Sequence, residues 1–174
     1  MKTYTAIIAD LDGTLIDTIS EKTFPEGVYD MKINFDVLDK IKELSPKAVL
    51  IASNQGGIES GFVDAERFMN KLRYICDCIY EYTGIQAIGM ACGSNNKNHP
   101  HRKPNTGMVE ILVSKAIDLE LFESNPKNEY LMIGDASGKE GQFSDSDKKC
   151  AENAGIPYMD VKDFLNFNLN KNEV

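Results

Sequence analysis

Long apolar runs are absent. No stretch of the 174-residue chain approaches the roughly 20 apolar residues that a membrane-crossing helix needs, so no membrane association is expected. The N-terminus carries one lysine and moves straight into an apolar run. A signal peptide is therefore not expected, and the expected location is cytoplasmic. Basic excess is absent as well: 19 Lys and Arg stand against 27 Asp and Glu, a net charge of −8. That argues against a broad nucleic-acid-binding surface, whose footprint is basic. It leaves room for a local basic site at one phosphate or one strand end, because attraction into a cleft depends on the local arrangement of charge. Cysteines are few, and Cys76, Cys78, Cys92 and Cys150 lack the Cys-x-x-Cys spacing of a metal site. Such sparse use points to free thiols in a reducing compartment. Cys76 and Cys78 fall on an expected helix, where positions two apart do not face each other, so no disulfide joins them. No internal repeat and no linker interrupts the chain.

What is present is ordinary for a globular protein: 42% hydrophobic and 26% charged residues, enough chain for one domain with a proper core. That domain is expected over residues 1–174, with a small flap over 15–33 and a polar, frayed tail over 168–174. The organising stretch is Ile7-Ile8-Ala9-Asp10-Leu11-Asp12-Gly13-Thr14-Leu15. A β-rich apolar run over 4–9 leads into two carboxylates and a Gly-Thr turn. Residues two apart in an extended segment point the same way, so Asp10 and Asp12 are presented together. Paired carboxylates at a strand end can hold a hard cation or divide labour as nucleophile and proton donor. The plain alternative is a hairpin turn, where Asp-Gly is common.

Further along, Phe35, Leu38 and Ile41 lie at helical spacing, closed by Ser45-Pro46. Residues 47–52 form a second buried strand ending at Ser53-Asn54-Gln55-Gly56-Gly57. Ala65, Phe68, Leu72, Ile75 and Ile79 make one apolar helical stripe, ended by Thr83-Gly84. Residues 85–91 form a third strand, followed by a polar loop from Cys92 to Pro104. A helix through Met108, Ile111, Leu112 and Leu119 starts near Asn105 or Thr106. Residues 130–133 form a fourth strand ending at Gly134-Asp135-Ala136-Ser137-Gly138. Ser144 is the expected cap of a helix through Ala154, with Asp147 at its third position, and residues 156–159 are a short fifth strand.

Alternating strands and helices imply an α/β fold with a parallel sheet covered on both faces. In such sheets ligands bind at the carboxyl ends of the strands. Asp10 and Asp12, Ser53 and Asn54, Lys103 and Asp135 all fall there. This set suits phosphoryl transfer, in which charge must be neutralised and reacting oxygens placed in line. Asp10 and Asp135 would share a Mg²⁺ ion. Ser53 and nearby backbone N–H groups would hold the phosphate oxygens, and Lys103 would supply fixed positive charge.

Four ordered motifs carry a resemblance. Asp10-Leu11-Asp12-Gly13-Thr14, Ser53-Asn54-Gln55-x-Gly57-Ile58, Arg102-Lys103-Pro104-x-Thr106-Gly107-Met108 and Gly134-Asp135-Ala136-Ser137-Gly138 resemble those of haloacid dehalogenase superfamily phosphatases. The stretch from Ser20 through Phe24-Pro25 to Asp30, and Phe143-Ser144-x-Ser146-Asp147, are similar to the phosphatase domain of polynucleotide kinase 3′-phosphatases. The resemblance runs from residue 4 to about 165. It implies a Rossmann-like, haloacid dehalogenase-like sheet with a minimal cap or none. It implies Asp10 as nucleophile forming an aspartyl-phosphate, and Asp12 as general acid and then base. It implies Ser53 and Lys103 on the phosphoryl oxygens, with Mg²⁺ on Asp10, the Asp12 backbone carbonyl and Asp135. Gly13, Thr14, Asn54, Lys22, Lys97 and Arg102 are the expected phosphate- or substrate-binding set. The Gly-x-x-x-x-Gly-Lys-Ser/Thr loop of the kinase half is missing, so a separate kinase or ligase would be a partner.

Related sugar- and histidinol-phosphate phosphatases carry a zinc loop where this chain has Cys92, His99 and His101. With Pro100 between the histidines this is a poor tetrahedral set, and zinc is not expected. Lys22, Arg67, Lys97, Arg102 and Lys139 are either solvated charges or contacts to a nucleic-acid backbone. Phe24 and Tyr29 either pack the flap or stack on a terminal base. The favoured substrate is a 3′-phosphate on DNA or RNA, as in nucleic-acid end repair. The alternatives are a small phosphomonoester of the histidinol-phosphate or heptose-bisphosphate type, or a catalytically idle binding module.

Overall fold

The central strands are apolar on both faces, and the layering follows from that. A computed structural model describes residues 3–20, 30–124 and 127–168. Strands β1 (Ala6–Ala9), β4 (Ala48–Asn54), β5 (Gln86–Cys92), β6 (Tyr130–Gly134) and β7 (Tyr158–Asp160) form a parallel sheet in the order β5-β4-β1-β6-β7. Successive side chains of β1 point to opposite faces. Ile7 and Ala9, with Val49, Ile51, Leu131 and Ile133, pack on α1 (Phe35–Leu44), α2 (Ala65–Thr83) and α5 (Val161–Asn166). Ala6 and Ile8, with Leu50, Ala52 and Met132, pack on α3 (Gly107–Asp118) and α4 (Ser146–Ala154). The parallel α/β sheet covered on both faces, expected from the sequence, is the one observed.

The helix ends have local causes. Asn34 caps α1 by accepting from the Val37 N–H at 3.4 Å, and Asp64 caps α2 by accepting from the Arg67 N–H at 2.8 Å. Gly84 ends α2 in the left-handed conformation. Gly89 in β5 answers a packing demand: a Cβ there would press 2.8 Å from Leu72 Cδ1. Gly89→Ala is expected to cost about 1–3 kcal/mol through overpacking, read as a lower midpoint in a denaturant titration.

Three expectations are corrected. The 15–33 flap contains strands, not loop alone: β2 (Ile16–Thr18) pairs antiparallel with β3 (Met31–Ile33), Ile16 opposite Ile33. Three-residue strands are too short to show a period in sequence. The α4 helix starts at Ser146 with Asp145 as N-cap, so Ser144 is one residue outside it; its Oγ accepts from the Ser146 N–H at 3.3 Å instead. Strand β7 lies two residues later than its expected start, and α5 was not anticipated. Lys22, Phe24, Tyr29 and the tail beyond Asn168 lie outside the described residues. Among the described residues, no helix is long and apolar enough to cross a membrane.

Candidate active site

The order of strands sets the site. From β1 the chain steps outward to β4 and β5, then crosses to β6 and β7 on the other side. The carboxyl ends of β1 and β6 are therefore neighbours at the point where the winding reverses, which is where α/β sheets bind ligands. Asp10 follows β1, and its N–H donates to the Ile133 carbonyl at 3.0 Å. Asp135 follows β6. Ser53, next to last in β4, lies on the other flank.

The loop after β1 is wound tightly. The Leu11 carbonyl accepts from the N–H groups of Thr14, Leu15 and Ile16 at 3.3, 3.0 and 3.1 Å. Leu11 and Leu15 are anchored in the core. Gly13 has φ +77°, and a Cβ there would fall on the Asp135 carboxylate. Asn34 fastens the far side, donating from Nδ2 to the Thr14 carbonyl at 3.3 Å while capping α1. The loop is thus held from both ends, with Asp12 and Asp10 projecting from it.

Lys103 is the hub of charge. It is 3% exposed, and its Nζ reaches Asp10 Oδ1 at 2.5 Å and Asp147 Oδ1 at 2.7 Å. Asp147 Oδ2 accepts from the Ala136 N–H at 3.1 Å, tying α4 to the loop after β6. The Asn54 amide holds the Lys103 backbone at both ends, accepting from its N–H at 2.9 Å and donating to its carbonyl at 3.0 Å. Asn54, expected at the phosphate, therefore orients the lysine. Gln55 orients the acid: its Nε2 donates to Asp12 Oδ2 at 2.6 Å and to Ser53 Oγ at 2.9 Å.

Among the described residues one cation, Lys103, faces three carboxylates. One oxygen each from Asp10, Asp135 and Asp147 lies within 4.8 Å of the others. Burial pushes the Asp10 carboxyl up to about 8; Lys103 pulls against this, and Asp147 and Asp12 push with it. Burial, then Asp147, raise Asp135 to about 6. Burial also works against the Lys103 ammonium, but Asp10 and Asp147 outweigh it and hold its pKa above the usual lysine value. Hard oxygen donors, a glycine cradle at residue 13 and two buried polar atoms without a hydrogen-bond partner among the described residues, Asp12 Oδ1 and Thr14 Oγ1, fit a divalent ion and a phosphoryl group here.

The outlying residues divide. Arg102 is half-buried and its Nη1 donates to the Ser94 carbonyl at 2.7 Å, closing its own loop. Lys97 is exposed on that loop. Lys139 is engaged by Asp163 at 2.7 Å and Asp160 at 3.7 Å. Arg67 is exposed at the start of α2. In the 92–104 loop, His99 Nδ1 lies 3.5 Å from Cys92 Sγ and accepts from the His101 N–H at 3.2 Å. Phe62 and Phe143, 89% and 90% exposed, stand on the loops after β4 and β6, the strands that neighbour β1 in the sheet. Gln55 and Asp147 stand in the quoted motifs without an assigned role in the chemistry, and the structure brings both to the site.

A family model described as polynucleotide kinase 3 phosphatase matches residues 6–165. The chain belongs to that family. Among family relatives, it is 32% identical over 170 residues to the bifunctional polynucleotide phosphatase/kinase of Schizosaccharomyces pombe, covering 94% of this chain and 38% of that protein. It thus spans well under half of that relative. It is also 29% identical over 168 residues to a 20.8 kDa protein of Autographa californica nuclear polyhedrosis virus, covering 92% of this chain and 85% of that one. The fold matches a HAD-like phosphatase from Mesorhizobium loti, with a TM-score of 0.64, 20% identity, and 95% and 86% of the two chains covered. It also matches the D,D-heptose 1,7-bisphosphate phosphatase of B. bronchiseptica, solved with magnesium and phosphate, at TM-score 0.65, 20% identity, and 88% and 78% coverage.

Proposed function

We propose that residues 1–174 form one phosphatase domain, a Mg²⁺-dependent phosphomonoesterase that removes the phosphate from the 3′ end of DNA or RNA. The observation that carries this reading is the Asp10–Lys103–Asp147 cluster, set beside Asp12 and Asp135 at the β1/β6 switch point. The family match supports the strand-end substrate. So do two exposed phenylalanines, Phe62 and Phe143, on the loops after the strands that neighbour β1, since exposed ring faces accept unpaired bases.

The residues divide the reaction as follows. A carboxylate oxygen of Asp10 attacks phosphorus, forming an aspartyl-phosphate as the bond from phosphorus to O3′ breaks. Asp12 gives its proton to the departing O3′. Asp12 then takes a proton from a water whose oxygen attacks phosphorus, and the Asp10–phosphorus bond breaks to release phosphate. Gln55 holds one Asp12 oxygen, which leaves Oδ1 for proton transfer. Ser53 Oγ and Lys103 hold the phosphoryl oxygens, with Gly13 and Thr14 shaping the loop around them. Asp10, Asp135 and the Asp12 backbone carbonyl would hold Mg²⁺, whose charge supplies electrostatic stabilisation to the transferring group.

Asp12→Asn is expected to lower turnover of a 3′-phosphorylated oligonucleotide about 10²–10⁴-fold. In kcat/KM, which reports the steps through leaving-group departure and not the later hydrolysis common to both substrates, it should cost much less on p-nitrophenyl phosphate, whose leaving phenolate needs no proton. Equal losses in kcat/KM on both substrates would remove Asp12 from the acid role. The function itself is tested by Mg²⁺-dependent phosphate release from 3′- and 5′-phosphorylated oligonucleotides, histidinol phosphate and a heptose bisphosphate. Selective release from the 3′ end is expected. Release confined to the small phosphates would place the chain with metabolite phosphatases.

A further inference from the structure

Strand β4 ends where the Asp12 carboxyl is oriented. Gln55, the residue after β4, donates from its N–H to the Cys92 carbonyl at 2.7 Å and from its side chain to Asp12 and Ser53. Gly56 and Gly57 follow, and glycine leaves the backbone more freedom than any other residue. The amide that sets Asp12 is therefore attached to the most pliable point of its loop. Asn95, on the loop after β5, holds that point. Its Nδ2 donates both protons, one to the Gly56 carbonyl at 2.8 Å and one to Ser60 Oγ at 2.7 Å. The Asn95 amide lies so close over Gly56 that a Cβ there would collide with its Oδ1. Asn95 is itself fixed. Its N–H donates to Glu59 Oε2, which also accepts from Ser94 Oγ at 3.2 Å. The Glu59 N–H donates back to the Gly93 carbonyl at 3.1 Å, and Arg102 closes the same loop on the Ser94 carbonyl. The loop that carries Gln55 and the loop that leads to Lys103 are thus stapled together.

We infer that Asn95 is a positioning residue for proton transfer by Asp12. By pinning the Gly56 carbonyl it holds the Gln55 side chain on Asp12 Oδ2, which leaves Oδ1 turned to the departing oxygen. The inference rests on the reading of Asp12 as the acid. An acid must meet the leaving oxygen at hydrogen-bond distance, and a misplacement of about 1 Å can cost about 10²-fold. Asn95 is exposed, so water replaces part of what its removal takes away, and the loss is smaller than that limit. It is also selective. A leaving alkoxide needs the aligned proton, whereas a p-nitrophenolate departs without one. Misplaced phosphate-holding groups would instead slow both substrates alike.

The test compares Asn95→Ala with wild type in kcat/KM on a thymidine dinucleotide bearing a 3′-phosphate and on p-nitrophenyl phosphate. The ratio of the first value to the second is expected to fall about fivefold to tenfold. Asn95→Asp, which keeps the shape and loses the donors, should lower the ratio as well. Thermal melting controls for folding, and both variants should melt within about 2 °C of wild type because the side chain is at the surface. In a Gln55→Ala background, where the ratio is already low, Asn95→Ala should change it by no more than about twofold, since residues that act through one another are not additive. Equal losses on the two substrates, an unchanged ratio in both Asn95 variants, or a full further fall in the Gln55→Ala background would overturn the inference. Failure of wild type on the dinucleotide while it hydrolyses histidinol phosphate would overturn the strand-end reading alone: histidinol phosphate also releases an alkyl oxygen, and it takes the place of the dinucleotide in the ratio. Equal losses on both substrates in Asp12→Asn would overturn the acid reading itself.

Discussion

Asp10→Asn is expected to abolish turnover, lowering kcat by about 10⁴-fold or more, as loss of a covalent nucleophile does. The effect should be on chemistry and not on the fold. Burial already pushes the Asp10 carboxyl up to about 8, so a neutral amide of the same shape replaces a group that resists ionisation. The variant also relieves a cluster in which Asp10, Asp135 and Asp147 face the single ammonium of Lys103. Its melting temperature should stay near that of wild type, because Lys103 keeps Asp147 as a buried partner. Steady-state phosphate release and a thermal melt on the same preparation check both halves. Retained activity would remove the aspartyl-phosphate from the mechanism.

Lys103→Met is expected to damage both activity and stability. The lysine lies between Asp10 Oδ1 at 2.5 Å and Asp147 Oδ1 at 2.7 Å, with its side chain 1% exposed. Removing one partner of a buried pair leaves uncompensated carboxylates, at a cost of about 3–5 kcal/mol. For a chain of this size that is a fall of roughly 10 °C in melting temperature. Turnover should be lost as well, because the ammonium is the fixed charge beside Asp10, the carboxylate proposed to attack. A melting temperature within about 2 °C of wild type would show that the cluster contributes little to the fold.

Much of this site could be read from residues at strand ends. Asp10, Ser53 and Asp135 each end an apolar run, and a parallel sheet brings such ends to one edge. Lys103 was legible through its place after the third strand. Gln55 carried a signal that went unused: it lies two residues after Ser53, so the argument that paired Asp10 with Asp12 also pairs Ser53 with Gln55. Asp147 was hidden by a plausible local role, the third residue of a capping box. Helical periodicity would have shown it, because Asp147, Cys150, Ala151 and Ala154 form the buried face of α4. The role of Asn54 was not legible, since its partner Lys103 is 49 residues away. The β2–β3 ribbon and the six-residue α5 helix fell below the length at which periodicity speaks.

The most direct measurement is acid-quench capture with an oligonucleotide carrying a ³²P-labelled 3′-phosphate, in the presence of Mg²⁺. The expected result is label on the protein during turnover, lost on hydroxylamine treatment, mapped to the peptide containing Asp10 and absent from Asp10→Asn. Release of labelled phosphate with no label on the protein and full activity in Asp10→Asn would contradict the covalent account, and no release from the 3′ end at all would contradict the function.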